Sequence, residues 1–248
     1  MDRIAETFHG ERGNTWDVER SRDRIHWMIQ WARGDRALDW GCSQGIATKL
    51  LKEKGLTPIG YDIDLSVIEY ARNRFPDIQF CSEISELGNS YDSILLGEVV
   101  EHQEDPNKFI ADAVARLNPN GRVIITVPHG YNACLDHRQL FTLSTFLDLV
   151  QPHLNVVAYD FVDHFIRFVG CKEKTDWVLD AELHRKAELQ LLDLHRCETA
   201  RSEMILGECN KLREKVLWGQ KQLDELKASP SYRLVDAMKK VRRMTKSD

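Results

Sequence analysis

Up to about residue 177, short apolar runs alternate with longer stretches of helical periodicity. The runs RALDWG, TPIGYDID, IQFCS, YDSILLGE and GRVIITVP have the length and the Ile, Val and Leu content of strands. Between them, IATKLLKEKG, LSVIEYARNRF and NKFIADAVARLNPNG space their apolar residues three and four apart, as helices with one buried face do. The last two are expected to stop at Pro76 and Pro119, with Gly121 just beyond the second. Strands alternating with helices predict an α/β fold: a doubly wound, mostly parallel sheet covered on both faces. LNVVAYDFVDHFIRFVGCK reads as two further strands in an antiparallel hairpin at the sheet edge. Residues 1–34 read as a helical lid segment whose apolar face carries Ile25, Trp27, Met28 and Trp31. The first domain is thus expected to span residues 1–176.

The pattern changes near residue 177. From Asp180 to Lys227 the chain is rich in Glu, Lys, Leu and Arg. Ile205, Cys209, Leu212, Val216, Gly219, Leu223 and Leu226 follow one another in steps of four and three. Ala187, Leu191 and Leu194 obey the same rule upstream, and the register breaks where Glu198 and Arg201 fall on the seam. A 3.5-residue repeat gathers these side chains on one stripe, which predicts an α-helical coiled coil over 177–228 and a homo-oligomer formed through it. The competing reading is a single long helix lying along its own domain. Pro230 ends the pattern, and residues 229–248 read as a short basic amphipathic helix. From Arg233 onward six Lys or Arg stand against two Asp, a balance that suits peripheral contact with an anionic membrane and equally a solvated tail.

Composition narrows the classes. The 248 residues are 42% hydrophobic, enough for one α/β domain with an appendage. No apolar run approaches the ~20 residues that cross a bilayer. The N-terminus is charged and carries no apolar signal core. Six scattered cysteines without a C-x-x-C pair fit reduced thiols in the cytoplasm, with the basic end allowing residence on the inner face of the membrane. A net charge of −5 gives no global attraction to nucleic acid.

The chemistry gathers at strand ends. ALDWGCSQG ends the first strand on Asp39 and continues into Gly41-Cys42-Ser43-Gln44-Gly45. Such a turn lets a ligand approach backbone N–H groups, but a carboxylate beside it suits an ammonium better than a phosphate. Asp62 ends the second strand, about 20 residues past the glycine turn, where an acidic group accepts both hydroxyls of a ribose. Asp64 is placed to cap the helix starting at Leu65. Glu83 follows the third strand, where a polar group can meet an adenine edge. The fourth strand ends in GEVVEH, and the loop after the fifth supplies His129, Asp136 and His137.

This ordered set resembles the class I, Rossmann-like S-adenosylmethionine-dependent methyltransferases, over residues 20–170. It is most similar to the branch containing ubiquinone-pathway and sugar O-methyltransferases. The resemblance implies a seven-stranded sheet and S-adenosylmethionine as cofactor. It implies that Asp39, Gly41, Cys42 and Gly45 hold the methionine part, Asp62 and Ile63 the ribose end, and Glu83 with Ile84 the adenine. Gly97 and Glu98 would close over the sulfonium. Ser43 departs from the family, which usually has Gly there.

A hydroxyl acceptor needs a base or a metal ion, whereas an amine need only be deprotonated. In one reading His102 is the general base and Glu98 orients the donor. In the other, Glu98, Glu101, His102 and His137 bind a divalent ion, similar to the Glu-x-x-Glu-His pattern with a downstream His of small-RNA 2′-O-methyltransferases. Arg12, Trp16 and Arg20 would form a lid or pack the N-terminal helix on the sheet. The appended coiled coil and basic end resemble methyltransferases of bacterial surface-polysaccharide assembly. That implies a glycan or other small hydroxyl acceptor, with an RNA 2′-O-methyltransferase and a degenerate coiled-coil scaffold as alternatives.

Overall fold

The computed structural model describes residues 19–130, 137–162, 164–177 and 180–228. The chain divides into two compact units, residues 1–194 and 195–248. In the first unit the order is α1 (Glu19–Trp31), β1 (Arg36–Trp40), α2 (Ile46–Glu53), β2 (Thr57–Tyr61), α3 (Leu65–Arg74), β3 (Gln79–Cys81), β4 (Tyr91–Gly97), α4 (Pro106–Arg116), β5 (Leu117–Pro128), α5 (Leu143–Val150), β6 (Asn155–Val162) and β7 (Phe165–Cys171). A 48-residue helix, α6 (Ala181–Ala228), begins in the first unit and continues into the second.

The seven strands form one mixed sheet in the order β3-β2-β1-β4-β5-β7-β6. β1 to β5 run parallel, and β7 is antiparallel to both β5 and β6. The expected hairpin is therefore present, with its second strand inserted next to β5 and its first at the edge. From β1 the chain winds out through β2 and β3, then returns to place β4 on the other side of β1. A crevice opens at such a reversal, at the carboxyl ends of β1 and β4.

Strand side chains alternate between faces, and here both faces are covered, which explains the near-continuous apolar runs. Leu38, Ile94, Leu96, Val123, Ile125 and Phe168 join a core under α4 and α5. Their neighbours Ala37, Leu95, Ile124 and Val169 join a second core with Ile25, Met28 and Ile29 of α1 and Leu51 of α2. The helix starts obey local chemistry. Asp64 accepts the Ser66 N–H at 2.8 Å, as expected of a cap, and Asp105 accepts the Lys108 N–H at 2.9 Å with Pro106 in the first turn. Thr142 and Thr145 form a reciprocal capping box on α5.

Two expectations are corrected. The helix predicted to run to Pro119 ends at Arg116, because Leu117 is already a strand residue paired with Tyr91 and buried in the core. Pro119 biases Asn118 toward extended backbone, and tertiary pairing ends the helix earlier still. The upstream stripe is also reassigned at Ala187. That residue is fully buried in the first unit's core, beside partly buried Leu183. Ser144 Oγ lies 3.1 Å from His184 Nε2, and Tyr159 is hydrogen-bonded to Asp180, so the first turns of α6 pack on their own domain. Beyond them, Ile205, Leu212 and Val216 remain exposed. No described helix is long and apolar enough to cross a membrane. The basic segment 229–248, Arg12, Trp16 and Asp136 lie outside the described residues, and Arg20 belongs to α1.

Candidate active site

The bend after β1 is shaped by its glycines rather than by free amides. The N–H groups of Gly41 and Cys42 both donate to Tyr61 O, at 2.7 and 2.9 Å. Ser43 N donates to Asp62 Oδ2 at 2.9 Å, and Gly45 N donates to Cys42 O at 2.8 Å. These four donors are taken up inside the protein, which leaves the bend poorly suited to a phosphate. Gly41 has φ +89, and a Cβ there would come within 3.0 Å of Val99 Cγ2. Gly45 has φ +77 and lies under the Phe80 ring, 2.7 Å from where its Cβ would be. Both conformations favour glycine. Ser43 adopts φ 46 without being glycine, so the family departure sits at a strained position.

Asp39 is 4% exposed, and its Oδ2 accepts the Thr48 hydroxyl at 2.6 Å from the first turns of α2. Burial pushes its carboxyl up to about 6, against the Thr48 hydrogen bonds. The Asp62 oxygens accept the Ser43 and Asp64 N–H groups, and burial raises its pKa too. Past Asp62, Ile63 is 72% exposed, and Ile84 is exposed just after β3, the strand paired with β2. Glu83 is exposed beside it. Cys42 is buried in the small core under α3, and its thiol is pushed well above the usual range by burial.

On the other side of the crevice, β4 ends at Gly97 and Glu98 follows it. Glu98 has φ 57, and its N–H donates to Thr126 O at 2.9 Å. Gly97 leaves room for Arg24 of α1, whose Nη1 would stand 3.0 Å from a Cβ there. Arg24 is buried and donates to Thr126 Oγ1 at 3.0 Å. Its charge lowers the pKa of both Asp39 and Glu101, so it faces both carboxylates electrostatically. Among the described residues it forms no ion pair.

Val100–His102 form one 3₁₀ turn. Glu101 is 1% exposed, and its backbone carbonyl accepts the N–H groups of Arg138 and Gln139 at 2.8 and 3.0 Å. That clamp draws the segment after β5 against the turn and sets His137 beside His102, with rings 4.8 Å apart. His102 Nε2 and His137 Nε2 lie 3.9 and 4.0 Å from Glu101 Oε1. Both side-chain oxygens of Glu101 are buried without a hydrogen-bond partner. Burial, then the neighbouring Glu98 charge, holds the Glu101 carboxyl well above the usual range. Ligand atoms of Glu101, His102 and His137 lie within 4.8 Å of one another, and Glu98 is not among that trio. His129, also offered by the loop after β5, is instead buried against Phe161, and burial lowers its pKa to about 4.

A family model described as a methyltransferase domain matches residues 14–164, more than half of the chain. The chain belongs to the methyltransferase-domain family. Its fold is the Rossmann-like one of the S-adenosylmethionine-dependent methyltransferases. A ubiquinone biosynthesis O-methyltransferase of Coxiella burnetii is 29% identical over 112 residues, 42% of this chain and 48% of the relative. The chain thus spans about half the length of the curated relatives it matches. The N-methyltransferase NodS of Bradyrhizobium japonicum, solved with S-adenosylhomocysteine, is similar with a TM-score of 0.58 at 17% identity, over 69% of this chain and 97% of that one. The 1,6-didemethyltoxoflavin N1-methyltransferase of Burkholderia thailandensis gives 0.57 at 21% identity, over 70% and 86%.

The methyltransferase domain brings the expected residues to one end of its sheet. Asp39 lies near the end of β1 with Gly41, Cys42 and Gly45 just after it, Asp62 and Ile63 follow β2, Glu83 and Ile84 follow β3, and Gly97 ends β4 with Glu98 to His102 just after it. His137 reaches the last group through the Glu101 clamp. Sequence reasoning missed Arg24 and Gln44, whose Oε1 is buried without a hydrogen-bond partner. The signal for Arg24 was a cation on the apolar side of an amphipathic helix, one turn before Met28.

Proposed function

We propose that this protein transfers the methyl group of S-adenosylmethionine to a hydroxyl of a small acceptor. The observation that carries the acceptor class is the pair of imidazoles set against buried Glu101 at the end of β4. An amine acceptor needs no such group, while a hydroxyl does. Asp39 holds the ammonium of the donor and Arg24 its carboxylate. Asp62 accepts the ribose hydroxyls, and the adenine rests on Ile63 and Ile84, with Glu83 at its edge. Gly97 and Glu98 border the sulfonium. His102 takes the acceptor proton as the oxygen attacks the methyl carbon. The carbon–sulfur bond breaks, and neutral S-adenosylhomocysteine leaves. Positioning supplies most of the acceleration.

The name of the curated relatives, O-methyltransferases of ubiquinone biosynthesis, supports a hydroxyl acceptor of phenol type. The long helix and basic end of the sequence support a glycan hydroxyl. A labelled-methyl transfer screen with phenolic and lipid-linked glycan acceptors separates them. Transfer to neither, with transfer to amines instead, overturns the hydroxyl assignment. His102→Gln should cut turnover at least a hundredfold with donor affinity unchanged.

A second reading is favoured by the two unpartnered oxygens of Glu101. A buried carboxylate facing two imidazole nitrogens fits a divalent cation, with Glu101, His102 and His137 as ligands and Glu98 beside them. When bound, such an ion would lower the pKa of an acceptor hydroxyl. Manganese titration followed by calorimetry tests this. Binding that disappears in Glu101→Gln supports it, and no binding to the wild type removes it. For a protein partner we propose a second copy of the chain, engaged through α6.

A further inference from the structure

Ile205, Cys209, Leu212, Val216 and Gly219 recur in steps of four and three along α6. Ile205, Leu212 and Val216 are 49%, 60% and 59% exposed, and Cys209 is exposed with them. The same spacing continues in sequence to Leu223 and Leu226. A stripe with an average period of 3.5 residues stays on one face only while its helix wraps around another of the same period. A second copy of this chain supplies that period.

The seam also has a direction. With Cys209 and Val216 at the a positions and Ile205, Leu212 and Gly219 at d, Glu208 takes g and Arg213 takes the following e. In a parallel pair in register, g of one helix lies beside the e five residues further along the other. Glu208 of each copy then meets Arg213 of the second, twice by symmetry. Both side chains are exposed, so each is available to that partner. Within this seam, Val216 at a and Leu212 at d are of the types that favour two strands.

We propose that residues 205–226 pair with a second copy as a parallel, in-register, two-stranded coiled coil in which the two Cys209 thiols face each other. This rests on the self-association proposed above and adds its direction and register. Facing a residues bring their Cα atoms to about 6 Å, inside the ~4.4–6.8 Å that a disulfide spans. An antiparallel pair sets a against d and separates the two thiols.

The test uses the full chain. Light scattering reads the assembly, and oxidation by copper phenanthroline, which takes two electrons while two protons leave, reads the register. The expected result is twice the monomer mass, with a covalent dimer that reductant reverses and Cys209→Ser abolishes. A monomer, or three or more chains, overturns the two-stranded pairing. A dimer without a Cys209-dependent cross-link overturns the parallel register alone. Leu212→Glu combined with Val216→Glu should give a monomer of unchanged S-adenosylhomocysteine affinity; a persistent dimer in that variant places the interface elsewhere and overturns the proposal.

Discussion

Asp39→Asn should make the ligand-free protein more stable while weakening its grip on the donor. Asp39 is almost fully buried, and its carboxyl is raised from 3.8 to about 6 chiefly by burial. A shift of about two units corresponds to roughly 3 kcal/mol held against the ionised form. A folded-state pKa above the unfolded one means the folded protein binds this proton more tightly. The stabilising contribution is therefore present below about pH 4 and is lost as pH rises through 6. At pH 8 the wild type carries a buried charge that Asn lacks, and Asn still accepts the Thr48 hydroxyl. With an allowance for the amide's own donors, the variant should gain about 1–2 kcal/mol at pH 8, and the gain should vanish near pH 4. Thermal melts at the two pH values read this as a rise of about 2–4 °C per kcal/mol at the higher pH only. Calorimetry with S-adenosylhomocysteine reads the other half. Loss of a charged hydrogen bond to the ammonium should weaken binding at least tenfold. In the wild type, affinity should itself fall as pH drops below about 6, as Asp39 takes up its proton. A variant that melts below the wild type at pH 8 and binds the ligand equally well would refute both the buried-charge reasoning and the ammonium contact.

Arg24→Ala should lower S-adenosylhomocysteine affinity about tenfold or more by calorimetry. Because the Arg24 charge lowers the Asp39 pKa, the variant's loss of binding on acidification should also begin at a higher pH than in the wild type. Arg24→Lys should recover part of both effects, and an unchanged acid limb in the alanine variant would separate the two residues. Ser43→Gly should stabilise the protein by about 1 kcal/mol in urea unfolding, since φ 46 strains a residue with a Cβ and the Ser43 N–H to Asp62 is kept. A loss of stability there would show that the serine side chain supports the bend. Gly45→Ala should cost about 2–4 kcal/mol by the same measurement, combining φ +77 with a Cβ 2.7 Å from the Phe80 ring. Equal stability would mean the ring moves aside freely.

Sequence pattern was sufficient where a feature is repeated along the chain. Ile94, Leu95 and Leu96 could be read as a strand covered on both faces because consecutive side chains go to opposite sides. Asp64 could be read as a cap because its partner, Ser66, is two residues away. The carboxylates at the strand ends could be placed at one end of the sheet because parallel strands present all their carboxyl ends on the same side. Pattern was insufficient where the deciding contact is distant. Nothing local shows that Leu117 leaves a helical run to pair with Tyr91, or that Ala187 is buried in the core while Ile205 on the same helix stays exposed.

The amino-acid sequence by itself determined the strand and helix alternation, the bend after β1, the acidic residues around it and the 3.5-residue stripe of α6. Each of these is set by spacing within a few residues, and backbone geometry converts spacing directly into direction. Only the tertiary structure decided that the bend's amides are taken up by Tyr61, Asp62 and Cys42, that Arg24 occupies the space left by Gly97, and that His137 meets His102 across Glu101. Those outcomes depend on which buried polar groups find partners once the chain has closed on itself, and residues 35 or 73 positions apart carry no local mark of that meeting.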